Sequence, residues 1–162
     1  MPIILYRVDE RLIHGQVVVG WGAALHPTRM VVVDDELAAS AWEQELYTLG
    51  LPPDIEGVFA SVGEARAALE GWEAEDARTI LLTRDVRTMR SLMEGAGLDH
   101  AEVNLGGIHY APGRERVLPY LFLSEEERTE LRALAAGGAR VSAQDVPRAR
   151  KVDAQQLFGS DA

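Results

Sequence analysis

Two guanidiniums, two carboxylates and an imidazole stand within eight residues of one another near the start of the chain, in the run Arg7-Val8-Asp9-Glu10-Arg11-Leu12-Ile13-His14-Gly15-Gln16. A neutral imidazole nitrogen is a nucleophile near neutral pH, and the bond it makes to phosphorus is labile enough to be passed on. Gly15, directly after His14, lets the backbone approach a ligand closely, and apolar positions 17, 18, 21, 24 and 25 predict a helix that starts just past it. His14 then sits at a helix N-terminus, where unpaired N–H groups and the positive end of the dipole favour an anion, with Arg11 as a mobile cation. The chemistry this suggests is a phosphoryl group held at His14. A plainer reading, a turn histidine in a solvated salt-bridge loop, stays open on spacing alone.

Other constellations carry less. Gly20-Trp21-Gly22-Ala23-Ala24-Leu25 half-matches a dinucleotide fingerprint, but Leu25 stands in place of the third glycine and the run falls inside the predicted helix. Asp34-Asp35-Glu36 reads as acidic charge at the N-terminus of the next helix. The histidines at 26, 100 and 109 form no i, i+4 pair with an acidic third ligand, so no metal site is expected. His26 reads as a loop residue and His100 as a solvated turn residue. Two residues keep two readings each. His109, ending the run Asn104-Leu105-Gly106-Gly107-Ile108-His109, is either structural or lines the phosphoryl site or the partner surface; Arg84 is either a second phosphate ligand or a cap and salt-bridge partner. Trp42, Leu46 and Tyr47 suit the buried face of a helix better than a sugar-stacking platform.

The elements that must position the loop follow from periodicity. Short β-branched runs at 3–8, 30–33, 55–60, 79–83, 101–105, 120–123 and 140–143 alternate with helical patterns at 15–24, 36–48, 62–73, 85–95 and 124–136. That alternation predicts an open α/β fold: one domain over residues 1–162, with a mainly parallel sheet of about six to seven strands and helices on both faces. Residues 150–162 are expected to form an edge or a loosely packed tail. Ser124-Glu125-Glu126-Glu127 has the capping-box form, and Gly137-Gly138 closes that helix. Ligands in such sheets sit outside the carboxyl ends of the strands, so function is sought in the loops at 9–16, 34–36, 83–85 and 106–114.

With 162 residues the chain can bury a real core, and 47% hydrophobic against 26% charged residues is ordinary globular composition. A formal charge of −10 disfavours nucleic acid and anionic membrane surfaces. No apolar run approaches a spanning length of about 20 residues, and no leader pattern precedes Arg7, so a cytoplasmic location is expected. The absence of cysteine excludes disulfides and thiolate chemistry.

The first loop resembles the active-site signature of the IIB component of the mannose/fructose/sorbose family of the phosphoenolpyruvate-dependent sugar phosphotransferase system (PTS). Met30 to Glu36, Val103 to His109 with Gly113-Arg114, Leu123 to Glu126, Gly138 to Val141 and Gln144 to Pro147 resemble further family stretches in the same order. The resemblance implies that His14 is phosphorylated by a phosphohistidine on the IIA component and passes the group to a sugar carried by the membrane components IIC and IID, reversibly and with no cofactor or metal ion. It implies a protein peripheral to the inner membrane through IIC and IID, without inserting into it. Arg11 and the amides of Gly15 and Gln16 become the phosphoryl-binding parts, with Arg7, Arg84, Gly106, Gly107 and His109 as candidate lining. Asp9 either orients the imidazole or pins Arg11. Glu10 departs from the family's commoner Asp. The alternative function is a regulatory IIB-like protein phosphorylated on His14 but not coupled to transport.

Overall fold

Strands that are apolar on both sides bury best between two layers of helix, and the central strands here are of that kind. In the computed structural model, which describes residues 2–97, 101–153 and 157, every residue of β2 (Arg29–Val33) and β4 (Thr79–Thr83) is buried. They pair in parallel with β1 (Ile3–Val8), β3 (Glu56–Ala60), β5 (Glu102–Leu105) and β8 (Arg140–Ala143) in the order β3-β2-β4-β1-β5-β8, and β9 (Val152–Asp153) closes the far edge antiparallel to β8. The strands β6 (Arg114–Leu118) and β7 (Leu121–Ser124) form a separate antiparallel hairpin.

Alternation along the strands divides the core in two. Leu5, Met30, Val32, Ile80 and Leu82 face one layer, where Leu12, Ile13, Val17, Trp21 and Leu37 cover them. Tyr6, Val8, Val31, Val33, Leu81 and Val103 face the other, packed by α4 (Val62–Ala74), α5 (Val86–Met93) and α6 (Glu125–Ala136). Helices start where side-chain oxygens accept orphan N–H groups: Ser61 and Ser124 build capping boxes with Glu64 and Glu127, and Asp85 accepts from Thr88 N at 2.7 Å. Among the described residues no helix is long and apolar enough to cross a membrane.

The architecture matches the expectation, and four details differ. The helix expected at 15–24 is π-wound over Gln16–Trp21 before a short α1 (Gly22–Leu25), with Gly22 N–H bonded back to Val17 O. Three successive valines crowd a regular turn, and the glycines around Trp21 tolerate the wider one. The helix expected at 36–48 is two pieces, α2 (Asp35–Ala38) and α3 (Ala41–Leu49), with the Gln44 side chain donating to Leu37 O and Ala38 O across the break. The strand expected at 120–123 pairs with β6 and not with the main sheet, whose seventh place goes to β9. Trp42 and Leu46 are exposed and only Tyr47 is half-buried, so α3 turns those two large side chains away from the core. Of the tail, Val152 and Asp153 form the edge strand and Leu157 is buried; residues 154–156 and 158–162, like His100, lie outside the described residues.

The connection from β1 leaves toward β2 and that from β5 toward β8, in opposite directions across the sheet, which opens a crevice between their carboxyl ends. Asp9 N donates to Thr83 O at 3.0 Å and Gly106 N to Val8 O at 2.7 Å, so the sheet ladder carries both residues to the rim of that crevice.

Candidate functional site

One carboxylate organises the crevice. Asp9, wholly buried, accepts from Arg11 N (3.1 Å) and Arg11 Nε (3.2 Å) on Oδ1, and from Arg7 Nη2, Arg11 Nη2 and His14 Nε2 on Oδ2, each at 3.3 Å. Burial alone would raise the Asp9 pKa; the hydrogen bonds from His14 and Arg11 and the charge of Arg7 outweigh it and hold the carboxyl well below the usual carboxylate range. Asp9 therefore stays an acceptor and sets the direction of three donors at once.

Arg7 supports it from beneath. Its guanidinium is fully buried, donating to Asn104 Oδ1, to Gln144 O and Asp145 O at 2.9 Å each, and lying 4.9 Å over the Trp21 ring. The candidate lining role of Arg7 is thus a foundation role. Gly106 and Gly107 are glycines for space. A Cβ on Gly106 would fall 2.6 Å from both Asp9 Oδ2 and Arg7 Cζ, and one on Gly107 would fall 3.1 Å from Arg11 Nη2.

The chain turns sharply between Arg11 and His14. Leu12 N donates to Asp9 O at 3.0 Å, and Leu12 takes a left-handed φ of 56° that its fully buried side chain holds in place. That turn presents His14 at the mouth with 16% of its side chain exposed and Nε2 toward Asp9. Val18 N bonds His14 O at 2.9 Å, so His14 enters the π-wound helix directly. Gly15 is the N-cap and Gln16 the first residue of that helix, and N–H groups at those positions have no intrahelical acceptor. A side chain on Gly15 would extend into open space. Arg11, about a third exposed, is held by Asp9 and by Gln16 Oε1 at 2.9 Å from Nη2.

Glu10 joins the loop to the β5–β6 connection, accepting from His109 N (3.2 Å), His109 Nδ1 (2.9 Å) and Arg114 Nη1 (2.7 Å). His109 is therefore a partner of Glu10. Arg84 lies 3.6 Å from Asp34 and lines a cleft of about 480 Å³ with Ile13, Glu43, Leu46, Tyr47 and Gly50, beside the His14 loop. Asn104, Arg114 and Gln144 carry the site, although the residue order assigned none of them a role: Asn104 and Gln144 stand at the carboxyl ends of β5 and β8, Arg114 opens β6, and each falls in a stretch that resembles the family. Among the described residues no group of three or more His, Cys, Asp or Glu side chains is placed to hold a metal ion.

A family model described as "PTS system sorbose subfamily IIB component" matches residues 3–162. The chain is 32% identical over 145 residues to the N-acetylgalactosamine-specific phosphotransferase enzyme IIB component 1 of Escherichia coli (strain K12), covering 90% of this chain and 91% of that protein. It is 29% identical over 158 residues to the mannose-specific EIIAB component of the same organism, covering 98% of this chain but 49% of that longer protein. The crystal structure of the PTS system N-acetylgalactosamine-specific IIB component 1 from Escherichia coli superposes with a TM-score of 0.85 at 30% identity, over 93% of this chain and 97% of that one.

Two outcomes follow from the geometry. Gly106→Ala is expected to lower stability by about 1–3 kcal/mol, because the methyl group must displace Arg7 or Asp9; an unchanged urea midpoint would show that the cradle yields freely. Asp9→Asn is expected to cost about 3–5 kcal/mol at pH 7 by leaving Arg7 without its anion. Since the folded carboxyl pKa is depressed, the wild-type advantage is complete above the unfolded value of about 3.9 and fades as pH falls through the lower folded value. Urea titrations of both proteins at pH 7 and pH 3 check this, and a gap that stays constant contradicts it.

Proposed function

The chain belongs to the sorbose subfamily of PTS IIB components, which are phosphotransferases of the sugar PTS, and from that premise we propose that His14 is the residue that carries the phosphoryl group. The observation that supports this most directly is the 3.3 Å approach of Nε2 to the buried Asp9 carboxylate. With the proton on Nε2 and directed to Asp9, the lone pair is on Nδ1, which becomes the attacking atom.

The donor is a phosphohistidine on a IIA protein. His14 Nδ1 attacks the phosphorus, the new P–N bond forms as the donor's P–N bond breaks, and the donor imidazole keeps the electron pair. In the second transfer a sugar hydroxyl, brought by IIC and IID at the membrane, attacks the phosphorus and gives up its proton to solvent; the new P–O bond forms as the His14 P–N bond breaks, and Nδ1 recovers its lone pair. Such transfers depend on position and charge more than on covalent help. Arg11 supplies the cation and Gly15 and Gln16 supply amides for the phosphoryl oxygens, a donor set that stabilises charge where it develops. Asp9 performs both of the roles suggested for it, since one carboxylate orients the imidazole and pins Arg11.

Incubation with phosphoenolpyruvate, the general PTS proteins and phosphorylated IIA is expected to give an acid-labile label on the wild type and none on His14→Gln, with circular dichroism unchanged. A label that persists at another residue overturns the assignment. Vesicles containing IIC and IID with their sugar should discharge the label; a label indifferent to every sugar would point to regulation. Arg11→Ala is expected to slow transfer on the order of 10²-fold while moving Tm by only a few degrees, and equal rates would remove Arg11 from the phosphoryl site.

A further inference from the structure

Glu10 is the neighbour of Asp9 in sequence yet serves a different set of partners. Its backbone N–H donates to Gly107 O at 2.9 Å, and its two carboxylate oxygens accept from Arg114 and from His109. Arg114 Nη1 also donates to His109 O at 2.9 Å, and its Nε and Nη2 fork onto Glu127 at 2.9 and 3.0 Å. Glu127 is itself fixed, because its Oε1 accepts from Ser124 N and its N–H donates to Ser124 Oγ in the capping box of α6. One guanidinium thus joins the His14 loop, the connection after β5 and the first turn of α6. Isolated surface ion pairs contribute little, but the side chains of Glu10, Arg114 and Glu127 are only 23%, 19% and 14% exposed and the Arg114–Glu127 contact is bidentate.

We propose that Glu10 and Arg114 form a clamp that positions the His14 loop for phosphoryl transfer; the proposal rests on the phosphocarrier reading of His14. The clamp acts through the segment it holds. Gly106 and Gly107 lie against Asp9 and Arg11, so a shift of that segment moves the carboxylate that aims the imidazole and the cation that meets the phosphoryl oxygens. Displacements of about 1 Å in a reacting pair cost up to about 10²-fold in rate. The pairing also matters for charge: a bare Glu10 carboxylate in the loop that receives a dianion would repel it, and Arg114, shared with Glu127, offsets part of that charge.

The test compares kcat and KM for transfer from phosphorylated IIA in the full chain carrying Glu10→Gln, Arg114→Gln, both, or Arg114→Lys. Each single Gln variant is expected to lower kcat about tenfold with KM for the donor changed less than twofold, and the double variant to be no slower than the slower single, as for two parts of one device. Arg114→Lys, which keeps the charge and loses the fork, is expected to fall between wild type and Arg114→Gln, and it serves if Arg114→Gln loses its cooperative melt. Unchanged kcat in the single variants, losses that multiply in the double, or a loss confined to KM would overturn the clamp. If the wild type accepts no phosphoryl group from phosphorylated IIA, the His14 reading fails first. Amide hydrogen exchange over residues 9–16 then judges the clamp: faster exchange in Glu10→Gln upholds it and identical exchange removes it.

Discussion

A single buried carboxylate with three cationic or protonated neighbours is the constraint on which the site depends. Asp9 sits at the first position beyond the ladder of β1, and its oxygens take up Arg7 from below, Arg11 from the side and His14 from above. A buried anion is tolerable only when its lone pairs are met by such donors. The same requirement explains the surroundings: Arg7 in turn needs Asn104 and two main-chain carbonyls, and Trp21 gives its ring to the guanidinium. The polar column runs from the sheet to the mouth, and each member is held by the one beneath it.

That column can exist only because the sheet brings its parts into register. β1 lies between β4 and β5, with Arg7 opposite Asn104 and Val8 opposite Leu105. The following residues, Gly106 and Gly107, are the ones whose missing side chains leave room for Asp9, Arg7 and Arg11. Left-handed Leu12 then turns the chain back so that His14, five positions after Asp9 in sequence, lies one hydrogen bond from it in space. Strain at such a position persists where the surroundings hold it, and here the Leu12 side chain is locked in the core.

Much of this was legible in the residue order. The alternation of strands and helices led to the parallel sheet, the capping box at Ser124 and the acidic run from Asp34 to Glu36 marked helix starts, and the cluster at 7–14 marked the loop. What escaped had a physical reason in each case. The π-wound turn comes from a contest between three valines and two glycines that a 3.6-residue period does not weigh. The break between α2 and α3 depends on Gln44, a residue with no strong punctuation value, reaching back to the carbonyls of Leu37 and Ala38. The hairpin β6–β7 looked like turn and strand because Arg114–Leu118 is mostly polar or half-buried and carries little period-two signal. Arg7 read as lining because a guanidinium in a functional loop is expected to meet the ligand, and only the tertiary fold shows it sealed beneath another charge. Glu127 belonged to a helix cap by pattern, and its second use as an anchor for Arg114 is invisible without β6.

The direction of β1 sets how another domain could be attached ahead of it. Ile3 begins at one end of the sheet, where Thr79 N bonds Pro2 O, and Asp9 leaves at the other. Six extended residues at about 3.3 Å each place these ends about 20 Å apart. A fusion partner joined before Ile3 would emerge on the side of the molecule away from His14, leaving the mouth unobstructed. To deliver its own cargo to that histidine in the same polypeptide, the tether would have to travel the full height of the sheet along its outside, so tether length and stiffness, more than any contact, would govern how often the two meet.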